Sequence, residues 1–160
     1  MLGVTIICVG KLKEKFYLDA AAEYQKRLRG YCRLELIELP EQRLPQDPSA
    51  GQIAAALDKE GEAILARLPR GGKVAAMCVE GRLLSSTQLA DTLAGWAVAG
   101  VSDLAFVVGG SYGLSPRVKE RADVRLSMSP MTFPHHLARV MLLEQLYRAF
   151  KIQEGSGYHK

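Results

Sequence analysis

The stretch Asp103-Leu104-Ala105-Phe106-Val107-Val108-Gly109-Gly110-Ser111-Tyr112-Gly113-Leu114-Ser115-Pro116 decides the fold class. Its first six residues are almost wholly apolar, the pattern of a central strand covered on both faces. Four glycines and serines and a tyrosine then make a turn, and Ser115-Pro116 is a helix start with proline in the first turn. A glycine-rich turn at the carboxyl end of a central strand is where open α/β sheets receive ligands, because a missing Cβ lets a ligand approach the backbone. The same residues also suit a plain tight turn. Their spacing is not the dinucleotide G-x-G-x-x-G, and Gly71-Gly72-Lys73-Val74 lacks the outer glycine and the hydroxyl residue of a P-loop.

Working outward, Val4–Val9 reads as a buried strand that Gly10 and a lysine cluster end. Tyr17–Arg29 is an amphipathic helix with Leu18, Ala21, Ala22 and Leu28 inward, and Arg33–Leu39 alternates as a strand. Residues 40–51 carry three prolines and are expected to be a mobile surface loop. Ile53–Leu68 is a helix, Lys73–Val79 a strand ending at Glu80-Gly81, and Thr87–Val98 a helix capped by Ser85 or Ser86. A short strand lies near Val124–Leu126, and a long helix runs from His135 to about Lys151. Strand and helix alternate throughout, so the expected class is α/β with a largely parallel sheet flanked by helices, in one domain over residues 1–160.

The 160 residues are 48% hydrophobic, enough for a core without disulfides or structural metal. Cys8, Cys32 and Cys78 are far apart and form no C-x-x-C pair, which argues for free thiols and no metal site. No run is long enough to span a bilayer and no leader pattern precedes Val4, so the expectation is a cytoplasmic protein away from membranes. The formal charge of +4 comes from dispersed Lys and Arg, fitting either solubility or a folded surface for an anionic partner.

Two further stretches carry chemistry. Ser127-Met128-Ser129-Pro130-Met131-Thr132-Phe133-Pro134 is stiffened by two prolines and offers apolar walls with backbone groups, suited to a nucleoside or to ordinary capping. In the last helix, Arg139 falls among Leu142, Leu143, Leu146 and Phe150, and a charge there needs a phosphate, a ligand carboxylate, or an Asp or Glu as partner. Glu144 and Arg148 are spaced for a helix salt bridge. With hardly any face of this helix purely polar, a second copy of the chain is the economical cover. The chain ends Gly155-Ser156-Gly157-Tyr158-His159-Lys160, a spacer followed by three side chains able to handle protons or anions.

These motifs resemble those of the RlmH-type pseudouridine N3-methyltransferases of the SPOUT superfamily. The likeness runs through Val9-Gly10-Lys11, Leu57-Asp58-Lys59-Glu60-Gly61, Phe106–Gly110, Gly113-Leu114-Ser115, Leu126–Ser129, Met131–His135, Leu143–Ala149 and Tyr158-His159, in order. The resemblance implies a SPOUT-type fold with a C-terminal deep trefoil knot, an exception to the rule that chains do not thread their own loops. It implies S-adenosylmethionine bound at Met77, Gly110, Ser129, Pro130, Met131, Thr132, Phe133 and Pro134. It also implies a homodimer acting on a pseudouridine of 23S rRNA within the ribosome, without metal. Tyr158 and His159, reaching the partner's pocket, become candidates for proton handling or base positioning, and Arg139, Arg148 and Lys160 for contact with phosphate or another anion. Where the family has Leu-Asp, this chain has Met77-Cys78, which keeps an apolar wall and carries no role over for that Asp. The alternatives are a non-catalytic RNA- or ribosome-binding dimer of the same fold, and a methyltransferase of another RNA such as tRNA.

Overall fold

A computed structural model describes all residues, Met1–Lys160. Five strands and five helices alternate: β1 (Gly3–Val9), α1 (Lys15–Leu28), β2 (Arg33–Leu39), α2 (Ala50–Ala66), β3 (Lys73–Leu83), α3 (Ser86–Val98), β4 (Asp103–Val108), α4 (Pro116–Arg121), β5 (Val124–Ser127) and α5 (His135–Gln153). All strand pairs are parallel, in the order β2-β1-β4-β3-β5. The apolar stretch 103–108 lies between β1 and β3, and every residue of it after Asp103 is buried.

Period-2 alternation divides the strands between two cores. Val4, Ile6 and Cys8 of β1 with Leu104, Phe106 and Val108 of β4 face α1, α3 and α5. Ile7 and Val9 with Ala105 and Val107 face α2 and α4. Each fully buried large side chain contributes roughly 1.5–3 kcal/mol, and the α5 face alone supplies Leu142, Leu143 and Leu146. Helix starts follow local chemistry: Ser49 and Ser85 each form a capping box with the glutamine three residues on, and Ser115 accepts from the Val118 N–H ahead of Pro116.

The differences from the sequence expectation have physical causes. Helix α1 starts at Lys15, and α2 starts at Ala50 because Ser49 caps it four residues ahead of Ile53, the first apolar repeat. The 40–49 segment is tied down at its start: Glu38 accepts from the Leu12 N–H at 2.9 Å, Glu41 from the Ser111 N–H at 3.1 Å, and the Gln42 N–H donates to buried Glu60 at 2.8 Å. Strand β3 does not stop at Val79. After an irregularity it runs on to Leu83, with Arg82 and Leu83 against Leu126 and Ser127. Gly81 reads as a stop but is a close approach: a Cβ there would lie 2.7 Å from the Leu126 carbonyl carbon.

Candidate active site

Three connections at the carboxyl ends of neighbouring strands enclose a cleft of about 730 Å³: the β3 segment Met77–Glu80, the turn Val108–Leu114 and the loop Ser127–His135. The volume falls in the range of sites for drug-sized ligands. Met77, Gly110, Ser129, Met131, Thr132, Phe133 and Pro134 all line it, while Pro130 shapes the bend without lining the space. The glycine turn closes by a hydrogen bond from the Gly113 N–H to the Gly110 carbonyl at 3.1 Å. At Gly110 a Cβ would lie 2.7 Å from Oε1 of Glu41, so this wall accepts no larger residue unless the Glu41 side chain moves.

The 127–134 loop holds its shape by short-range bonds. The Ser127 hydroxyl donates to the Ser129 carbonyl at 3.0 Å, and the Ser129 hydroxyl accepts from the Met131 N–H at 3.0 Å. Pro134 is the residue that caps α5 rather than its first helical residue. Met131 is 73% exposed, an apolar side chain left open at the cleft edge. Across the cleft Lys119 pairs with Glu80, and that bond holds the Glu80 carboxyl below its usual range. His135 also lines the cleft; its Nε2 is buried and makes no hydrogen bond, and burial, then the neighbouring His136, pushes its pKa down. No group of three or more His, Cys, Asp or Glu side chains is placed to hold a metal ion.

Arg139, expected at an anion contact with substrate, is 2% exposed. Its Nη1 donates to Glu38 at 2.6 Å and its Nη2 to the Gly10 carbonyl at 2.9 Å. Of the partners open to it, a carboxylate of the chain itself is the one the structure gives it. Arg148 forms the expected ion pair, donating to both oxygens of Glu144 at 3.0 Å. It lies beside the tail as well, 3.2 Å from Nδ1 of His159 and 4.8 Å from the centre of the Tyr158 ring. The Tyr158 hydroxyl donates to Glu144 at 2.6 Å, and this bond, helped by burial, raises its pKa to about 12. Burial works to raise the Glu144 carboxyl, but the bonds from Arg148 and Tyr158 outweigh it and hold the group below its usual range. Lys160 is exposed, and no residue of the tail lines the cleft of its own chain.

The family described as predicted SPOUT methyltransferase matches residues 2–159. The chain belongs to this family. Curated relatives of this SPOUT methyltransferase match 99% of the chain over their entire length. Those of Bifidobacterium animalis and Clostridioides difficile, both named ribosomal RNA large subunit methyltransferase H, are 49% and 46% identical to it. Two solved structures share the fold at 17% identity. A probable methylase family protein of Haemophilus influenzae aligns with a TM-score of 0.56 over 100% of this chain and 72% of its own. A probable methyltransferase of Bordetella pertussis aligns with a TM-score of 0.57 over 92% and 96%.

Three cleft-lining residues have no role assigned from sequence: Met128 and His135 lie inside the family's motifs, and Tyr112 lies in the glycine turn between two of them. Their signal was present, but residue type alone did not separate a wall from a spacer. Lys119 and Glu80 carried no such signal, because their pairing depends on how α4 turns back toward the end of β3.

Proposed function

We propose that this chain transfers a methyl group from S-adenosylmethionine to N3 of a pseudouridine in 23S rRNA, acting as a homodimer on the ribosome and therefore in the cytoplasm. The observation that carries the reading is the full-length identity, 46–49%, to relatives named ribosomal RNA large subunit methyltransferase H. The cleft supports it: seven of the eight residues expected to hold the methyl donor line one space, and the Gly110 backbone forms part of its wall against Glu41. The deep trefoil knot belongs to the same reading and rests on the likeness of the last third of the chain.

When bound, the donor would supply an electrophilic methyl for N3 and leave as the neutral thioether, with the N3 proton passing to a base or to water. Everything else is the work of the chain. Met77, Met131 and Phe133 offer apolar walls to an adenine, and the backbone around Ser129 offers donors and acceptors to its edges. A donor held in the cleft would approach the acceptor in a fixed orientation. Tyr158, with its pKa near 12, remains protonated at neutral pH and acts as a hydrogen-bond donor or positioner rather than as the base. Arg148, beside Tyr158 and His159, carries the positive charge that would stabilise the developing anion of the base. In the homodimer, the tail completes the partner's cleft, which its own cleft lacks.

Mass spectrometry of 23S rRNA from cells with and without the gene tests the reading. A methylated pseudouridine present only with the gene supports it, and identical spectra refute it. A methylated tRNA position would redirect the substrate. No heat on titration with S-adenosylmethionine would make the chain a binding module.

A further inference from the structure

Beside the cleft lies a second recess of about 350 Å³, between the start of α3 and one side of α5. The two spaces adjoin along Met77, Ser127 and Met128, whose two flexible thioethers must turn aside for an acceptor nitrogen to reach the methyl group. Leu89, Phe106, Leu126 and Met141 give the recess apolar sides suited to the faces of a flat ring. Its rim is polar and ordered. The Ser86 hydroxyl donates to Oε1 of Gln145 at 2.7 Å, and Nε2 of Gln145 donates to Glu144 at 3.1 Å. Glu144 in turn accepts from Arg148 and Tyr158. The Gln145 amide is thereby oriented, with its nitrogen turned to a carboxylate and its oxygen keeping one lone pair free.

We propose that this recess seats the methyl-accepting base, and that Oε1 of Gln145, set by Ser86, reads the ring N1–H that pseudouridine has and uridine lacks. The inference rests on the proposed transfer to a pseudouridine and adds the location and the reader of that base. The reasoning is one of hydrogen-bond inventory. Uridine presents a C–H where pseudouridine presents an N–H donor, so the lone pair that Ser86 leaves free on Oε1 gains a bond with one and none with the other. Apolar sides bind both rings alike and give no discrimination. The neighbouring cleft, about twice as large, is left for the donor molecule.

The test compares methyl transfer to ribosomes carrying pseudouridine at the target with transfer to ribosomes carrying uridine there, prepared from cells without the responsible pseudouridine synthase. Wild-type protein and Gln145→Met, Ser86→Ala and Met141→Trp variants are compared, each checked for melting temperature, oligomeric state and heat of S-adenosylmethionine binding. The expected result is a wild-type preference in kcat/KM for pseudouridine that falls by about tenfold in Gln145→Met and by less in Ser86→Ala. Met141→Trp, which fills the recess, raises KM for the ribosome with donor affinity unchanged. Variants that fold, bind the donor and keep the wild-type preference overturn the inference while leaving the transfer reaction standing. Wild-type protein that modifies neither ribosome removes the transfer reaction, and the inference falls with it.

Discussion

Replacing Arg139 with methionine separates a structural arginine from one that touches RNA. The guanidinium donates to Glu38 and to the Gly10 carbonyl, and its side chain is 3% exposed while that of Glu38 is 38% exposed. Arg139→Met removes a charge-assisted bond and leaves a buried carbonyl without that donor, while the methionine keeps most of the apolar packing. Hydrogen bonds to charged groups contribute about 1.5–3 kcal/mol. Because Glu38 reaches water and recovers part of its solvation, the expected net loss is about 2–3 kcal/mol, below the full cost of breaking a buried pair. For a chain of this size that lowers the melting temperature by about 4–12 °C at fixed protein concentration. The Glu38 carboxyl is opposed by burial, but the Leu12 N–H and Arg139 hold it below its usual range. A depressed carboxyl contributes stability that is present above its unfolded pKa and is lost as the pH falls through the folded one. The wild-type advantage over Arg139→Met therefore shrinks as the pH drops below about 4.3. Differential scanning calorimetry across that range, with Glu38→Gln and the double variant completing a cycle, gives the coupling. A variant of unchanged stability whose affinity for ribosomes has collapsed would refute the reasoning and return Arg139 to the substrate contact.

Three further outcomes follow from the geometry. Gly110→Val puts a branched side chain into the cleft wall beside Glu41; S-adenosylmethionine affinity is expected to fall by more than tenfold, and calorimetric titration showing wild-type affinity would displace Gly110 from the site. Deletion of Tyr158–Lys160 is expected to abolish methyl transfer with donor affinity nearly unchanged, since the tail lines no part of its own cleft, and to lower the melting temperature modestly through loss of the Tyr158–Glu144 bond; normal turnover would remove it from the mechanism. Ser85→Ala deletes the capping box of α3 and is expected to cost about 1 kcal/mol, read by urea denaturation at pH 7, with no change there if the cap contributes nothing.

The parallel α/β class was legible because apolar runs alternate with 3.6-period segments, and β4 and α5 in particular carry patterns that allow one interpretation. The cleft was legible through its two loops, where glycine and proline mark backbone that must bend or stay rigid. What stayed hidden depended on contacts between distant elements. Gly81 looked like a terminator because the same residue serves a chain ending and a chain passing close to another strand. The partner of Arg139 could not be chosen among phosphate, ligand and carboxylate, because Arg139 is on α5 and Glu38 on β2, 101 residues away. The second recess joins α3 to α5 through Ser86 and Gln145, and no local pattern links those two positions.

The strand order has a consequence for synthesis. Strand β1 finds one neighbour in β2 soon after it is made, but Gly3 meets its other partner, Asp103, only when β4 arrives. Until then the nascent chain carries an unsatisfied strand edge whose side chains include Ile6 and Ile7, a template for association with other unfinished copies. Any fragment that ends ahead of residue 103 keeps that edge open for good.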